Sequence, residues 1–322
     1  MSLAPYVRIL GRGPGRARSL DQNEAREAME VILSGNAAPE AIGALLMLMR
    51  MKGETAAELA GFVQAARSHI KLSSLSPALD WPSYAAGRTR GLPWFLLSAK
   101  LVAQAGYPVL LHGWNSHQAN HADVRDGCAA LGVQIAPDLS TANKALSCAG
   151  ITYLPLEVLS PPLFALLQLR NSLGLRSCIN TVVRLLNPCA TDASVQGVFH
   201  PVYREIQADA SALLGQQSLS VIKGGGGEFE RHPSKDVAAF GLRDGTAWQG
   251  KAVAQLDEIR RLASVEPDPS DLAALWAGHL DDPFAQAVVE GTAALALDTL
   301  GVAHPDSRAR DLWTNRHRKK AA

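Results

Sequence analysis

The 322-residue sequence predicts an α/β protein, with a small α-helical domain followed by a larger α/β domain on a mostly parallel central sheet. Two capping boxes punctuate amphipathic, helix-period stretches between residues 21 and 69. Beyond Tyr107, short apolar strand-like runs alternate with helix-like segments. The composition, 47% hydrophobic and 19% charged, is that of a folded globular chain able at this length to bury a substantial core.

Taken in order, residues 1–20 hold Arg8, Arg12, Arg16 and Arg18 with no acid, and read as a basic tail. Asp21-Gln-Asn-Glu24 opens a helix to about Ser34, stopped by Gly35. Ala38 to Met51 carries a continuous apolar face closed near Gly53, and Thr55-Ala-Ala-Glu58 opens a third helix to about His69. So much apolar surface on a small unit predicts a homodimer through it. Leu72 to Ser83, rich in Ser and Pro, reads as a hinge. A glycine-flanked turn, Gly87-Arg-Thr-Arg-Gly91, precedes a helix over Phe95–Ala105 and the strand YPVLLHG. Ile151–Leu154 is a buried strand, and Pro161-Pro162 opens the stretch that ends LQLRNSLGLRSCINTVVRLLNP. A strand at Ser194–Val198, a helix from about Pro201 to Leu214 and a strand at Ser218–Lys223 follow, the last running into four glycines. Past residue 240 come mixed helices, an acidic Leu256–Asp282 region, an apolar helix at Phe284–Leu300 and a basic tail.

Charge and cysteine usage narrow the function classes. Cys128, Cys148, Cys178 and Cys189 are widely spaced with no C-x-x-C, as expected of reduced thiols in a cytoplasmic protein. No apolar run reaches the roughly 18 residues of a membrane helix, and no apolar signal segment opens the chain. The net charge of +1 conceals basic ends of +4 each on a body of −7. No acid falls between Trp81 and Ala122, where Arg88, Arg90 and Lys100 accompany Trp94 and Trp114. From Val158 to Arg204 a single acid, Asp192, faces Arg170, Arg176, Arg184 and Arg204. Lys223, Arg231 and Lys235 surround the glycine run Gly224–Gly227, where a phosphate backbone could approach closely. Basic groups interleaved with aromatics suit a polyanion with stackable bases. The expected nucleic-acid contacts are therefore Arg88, Arg90, Lys100, Arg176, Arg184, Lys223, Arg231 and Lys235. No base-reading motif is present, so binding without sequence specificity is expected, with DNA and RNA both open.

The pattern R-x-x-L-G-x-R-S-x-x-N, closed by Asn187-Pro188, resembles the central signature of the anthranilate phosphoribosyltransferase and pyrimidine nucleoside phosphorylase superfamily. GALLMLMRMKGETAAELAGFVQAAR resembles its N-terminal helical domain. The resemblance implies a helical, dimerising domain over residues 1–74, joined by helices from about 157–180, with residues 75–156 and 181–322 forming the α/β domain. It places a remnant substrate pocket at Gly87, Gly91, His112, Arg170 and Asn187, and a magnesium pair at Glu228 and Glu230. Departures are numerous. Arginines fill the middle of the glycine loop, Trp94-Phe95-Leu96 stands at the hydroxyl-bearing helix start, and Leu111 and Trp114 replace a lysine and an asparagine. Glu228 and Glu230 are separated by Phe229, so they lose the convergence of adjacent acids on a turn. Gly-Glu-Phe-Glu-Arg-x-Pro resembles the YbiB-type paralogues, which bind nucleic acid and are regarded as lacking transferase activity. The expected function is thus nucleic-acid binding on a degenerate scaffold, needing no cofactor. The alternative is a pentosyltransferase acting on an aromatic amine or base with phosphoribosyl pyrophosphate and magnesium.

Overall fold

The structure, a computed structural model, describes the chain apart from residues 1, 14, 71, 73–74, 85–90, 115–122, 259, 261–267 and 319–322. Four helices open it: α1 (Ala4–Gly11), α2 (Gln22–Leu33), α3 (Pro39–Lys52) and α4 (Ala56–Ser68). Both capping boxes form. Asp21 accepts from the Glu24 amide at 2.8 Å while Glu24 accepts from the Asp21 amide at 3.0 Å, and Thr55 and Glu58 repeat the exchange. The N-terminus is not the plain basic tail expected. It forms α1, anchored by buried Leu3 and Leu10, and Arg18 clamps Glu24 through two contacts of 2.6 and 2.7 Å.

Next come β1 (Leu79–Ser83), α5 (Phe95–Gln104), β2 (Val109–Gly113), α6 (Val124–Ala130), α7 (Leu139–Ala149) and β3 (Ile151–Pro155). The short helices α8 (Leu156–Leu159), α9 (Pro161–Gln168), α10 (Arg170–Leu173) and α11 (Ile179–Arg184) lead to β4 (Ala193–Val198), α12 (Tyr203–Leu213) and β5 (Ser218–Lys223). β6 (Val237–Arg243), β7 (Thr246–Ala252), α13 (Ser270–Ala277), α14 (Pro283–Thr299) and α15 (Pro305–Thr314) complete the chain. Among the described residues the strands form one sheet of order β3-β2-β1-β4-β5-β6-β7. The first five in that order run parallel, and β6 and β7 are antiparallel.

Two expectations are corrected here. The Leu72–Ser83 hinge stops short, because its last five residues are β1, a central and wholly buried strand. Pro82 discouraged that reading, yet β1 pairs with β4 only at Leu79 and Asp80, so the proline removes no donor from that ladder. The region past residue 240 is not solely helical, since β6 and β7 form a hairpin. Its turn, Asp244-Gly245, has φ of 51° and 71°, the left-handed pair that a two-residue hairpin turn demands.

The sheet is covered on both faces. One face carries α5, α6, α13, α14 and α15 around a core that includes Trp81, Phe95 and Phe229, with Trp81 stacked on Phe95 at 6.2 Å and edge-on to Phe229 at 5.5 Å. The other carries the N-terminal helices, α9 and α11 over Leu110 and Leu154, and α12 over Val221 and Leu242. No helix among the described residues is long and apolar enough to cross a membrane.

Candidate functional site

A cleft of about 410 Å³ opens where α3, α10 and α11 meet the end of β4 and the start of α12. Gly174, left-handed at φ 67°, ends α10 and turns the chain so that Arg170 and Arg176 face the same space. Arg50, at the end of α3, enters from the helical unit and donates to the Arg176 carbonyl at 2.7 Å, fixing that turn. Arg184 lies at the cleft's base. The carboxylate lining this space is Glu54, which accepts a 3.0 Å bond from Tyr203. Burial and then the charges of Arg170, Arg184 and Arg50 pull the Arg176 guanidinium down to about 10. Arg50, Arg170 and Arg176 crowded round one committed carboxylate, with Arg184 buried beneath them, leave the cleft with an excess of positive charge.

The cleft continues past its rim. Phe199 is exposed there, edge-on to His200 at 4.9 Å. Behind it the glycine run folds tightly: Gly225–Gly227 is a single 3-10 turn, with Gly226 and Gly227 at φ 64° and 96°. A Cβ on Gly224 would sit 1.8 Å from the Glu228 carbonyl oxygen, and one on Gly227 would sit 3.4 Å from Phe199 Cβ. These glycines therefore answer to close packing of the chain on itself. A second, mainly basic hollow, of about 250 Å³, adjoins the turn and is lined by Arg204, exposed Lys223, exposed Lys235 and His232, with two acids, buried Glu230 and exposed Asp236, the latter paired with Lys251.

The structure thus brings Arg170 and Arg176 to the cleft, and Lys223, Lys235 and Arg204 to the adjoining hollow, and it adds Arg50, Phe199 and His200 to the cleft, which sequence reasoning missed. Arg50 is hidden inside the apolar run MLMRMKG and meets Arg176 across 126 positions, so no local signal marks it. Gly87, Arg88 and Arg90 lie outside the described residues. Gly91, left-handed at φ 82°, is buried at the entry to α5.

Five expected site residues are corrected. Lys100 faces away from the cleft, donating to the Leu131 carbonyl at 2.7 Å and lying over Trp276, and burial lowers its ammonium. Arg231 is buried on the α14 face and donates to the Val253 carbonyl. Arg184 is buried too, donating to the carbonyls of Asn180 and Tyr84. It is a strut under the site, not a free cation. His112 is fully buried between Asp80 (3.1 Å from Nε2) and the Tyr84 hydroxyl (2.8 Å from Nδ1), so both ring nitrogens are engaged inside the protein. Asn187, at φ 31°, shapes its own turn by accepting from the Thr191 amide at 3.0 Å and donating to Gln216 at 2.7 Å. Neither His112 nor Asn187 presents a side chain to a substrate pocket.

Comparison with known proteins places this geometry. Residues 4–70 match the helical bundle domain of a glycosyl transferase family, and residues 95–248 match its a/b domain. The anthranilate phosphoribosyltransferase of Thermomicrobium roseum is 30% identical over 292 residues, covering 87% of this chain and 80% of that protein. The chain belongs to this glycosyl transferase family. Its fold is that of anthranilate phosphoribosyltransferase structures. The Thermus thermophilus protein superposes with a TM-score of 0.80 at 24% identity, covering 97% of this chain and 94% of the other. The Saccharomyces cerevisiae protein, in complex with PRPP and Mg, does so with a TM-score of 0.76 at 18% identity, covering 98% and 93%.

The acids expected to hold magnesium do not fit that ion. Glu228 and Glu230 are both fully buried. Glu228 accepts from the Ser83 hydroxyl at 3.0 Å, and Glu230 accepts from the Phe95 amide at 3.0 Å, where it satisfies the first turn of α5. A hard cation needs several converging, partly hydrated oxygens. Among the described residues no cluster of three or more His, Cys, Asp or Glu side chains could hold a metal.

Proposed function

We propose that this chain is a nucleic-acid-binding member of the family, of the YbiB type, without sequence specificity and without a cofactor. The observation that carries the reading is the convergence of Arg50, Arg170 and Arg176 on one cleft whose carboxylate is already committed to Tyr203. Phosphates of the backbone would sit against these guanidiniums and against Lys223 and Lys235 farther along, releasing counterions. Phe199, between the two basic hollows, offers a face for a base. Fluorescence anisotropy of a labelled single-stranded oligonucleotide tests this, with saturable binding expected and loss on joint replacement of Arg170 and Arg176. No binding at low salt would overturn it.

A second reading, pentosyl transfer to an aromatic amine or base, is favoured by the 30% identity to an anthranilate phosphoribosyltransferase and by Arg170 facing the cleft. Against it stand the inward-turned Glu228 and Glu230 and the α5 N-terminus filled by the protein's own carboxylate. Calorimetric titration of phosphoribosyl pyrophosphate with magnesium distinguishes the two. We further propose a homodimer through the N-terminal helices and a cytoplasmic location. Exposed Met51 and part-exposed Ile42, Met47 and Leu48 on α3 support the dimer, and sedimentation equilibrium tests it.

A further inference from the structure

The cleft that gathers Arg50, Arg170 and Arg176 holds one acid, Glu54, among its described lining residues. The chain sets its place. α3 ends at Gly53, left-handed at φ 83°, and the turn brings Glu54 to the cleft four positions after Arg50, just ahead of the Thr55 cap of α4. The carboxylate is half-buried. Its Oε1 accepts from the Tyr203 hydroxyl at 3.0 Å, while Oε2 accepts from none of the described residues, and no described residue forms an ion pair with it.

The bond to Tyr203 does not account for the charge. Burial, and then Glu54 beside it, raise the Tyr203 hydroxyl to about 12, so it stays protonated and donating. A neutral amide oxygen would accept that bond equally well. A negative group here also repels the phosphates that the guanidiniums attract. A ligand that brings a hydrogen-bond donor to Oε2 offsets this repulsion. On the sugar that carries a backbone phosphate, the nearest donor is the 2′-hydroxyl, vicinal to the 3′-phosphate oxygen, and DNA has none. A carboxylate accepting from a ribose 2′-hydroxyl is likewise the sugar contact of dinucleotide-binding folds.

We infer that the cleft is ribose-selective, preferring single-stranded RNA to DNA, with Glu54 Oε2 accepting from the 2′-hydroxyl of a nucleotide whose 3′-phosphate lies on Arg50 and Arg176. This selectivity rests on the nucleic-acid reading of the same cleft. Glu54 discriminates against DNA in two ways. It gains a charge-assisted hydrogen bond from ribose, and it meets the deoxyribose backbone with repulsion alone.

Anisotropy titrations of the full chain with labelled oligouridylate, oligodeoxyuridylate and 2′-fluoro-oligouridylate of equal length test this, since base and charge are constant. The 2′-fluoro strand keeps an RNA-like sugar pucker without a 2′ donor, which separates hydrogen bonding from backbone shape. Oligouridylate should bind at least about tenfold more tightly than either of the others. Glu54→Gln should bring the three within about threefold of one another, chiefly by tightening the two strands that lack the donor. A purely structural Glu54 would instead weaken all three alike in that variant. The comparison of strands on the unaltered chain stands even where the variant folds poorly. Equal binding of RNA and DNA by the unaltered chain, RNA-like binding of the 2′-fluoro strand, or an unchanged preference in folded Glu54→Gln would each overturn the inference while leaving the nucleic-acid reading in place. Absence of binding by every strand at low salt would overturn that reading and the selectivity with it.

Discussion

Arg184 and Arg176 are eight positions apart and both line the cleft, yet the structure gives them opposite roles. Replacing Arg184 by Met would leave the Tyr84 carbonyl, and in part that of Asn180, without a donor in a buried place. Each loss costs about 1–2 kcal/mol, and part is offset because an apolar side chain avoids the burial of a guanidinium. A net destabilisation of about 2 kcal/mol follows, roughly 4 °C in melting temperature for a chain of this size. Oligonucleotide affinity should change little, because the Arg184 guanidinium is turned into the protein. Arg176→Gln should do the reverse. Burial first, and then the charges of three neighbouring arginines, hold this half-buried guanidinium near 10, so removing the charge relieves both penalties and the melting temperature should hold or rise. Affinity should fall about tenfold through one lost charge-assisted phosphate contact. Thermal denaturation followed by circular dichroism, with anisotropy titrations on the same samples, reads both. If Arg184→Met lost affinity as Arg176→Gln does, at an unchanged melting temperature, the assignment of strut and contact would be wrong.

Other consequences are as definite. Magnesium at about 5 mM should not raise the melting temperature, since the two acids are spent on Ser83 and Phe95; a saturable rise would restore the metal reading. Gly197→Ala should prevent folding, because its Cβ would stand 2.0 Å from the Glu228 carbonyl carbon, a backbone clash that cannot relax; soluble expression with a normal melt would refute this. Burial raises the thiols of Cys128 and Cys178 and brings Cys189 up to about 12, so thiolate is scarce at all three near pH 8. Exposed Cys148 should therefore be alkylated first, with mass spectrometry of the intact and digested chain as the readout.

Much of this was legible from the chain alone, for identifiable reasons. Asp21/Glu24 and Thr55/Glu58 are local devices in which partners three residues apart satisfy each other, so the sequence contains the whole interaction. The β6–β7 turn was legible too, as Asp244-Gly245 between strand-forming residues, but the helical reading of the C-terminal region passed over it. Pro82 misled because a proline argues against a central strand unless one knows how far the neighbouring ladder extends. At the cleft, charge density marks the stretches that line it and not always the residues that face it. Arg170 and Arg176 reach the cleft while Arg184 and Arg231 turn inward, and the difference lies in tertiary burial that no spacing encodes. The same holds for Glu228 and Glu230: their alternation hinted that a metal pair was lost, but their capture by Ser83 and the α5 amide depends on contacts 145 and 135 positions away.

The central claim is that a tract of Arg50, Arg170, Arg176, Lys223 and Lys235 receives a nucleic-acid backbone. Its most direct test is the dependence of oligonucleotide affinity on salt. Five phosphate contacts on a single strand predict a slope of about −3.5 for log K against log salt, falling to about −2 when Arg170 and Arg176 are both replaced by Gln. A slope near zero, or an unchanged slope in the double variant, would contradict the account.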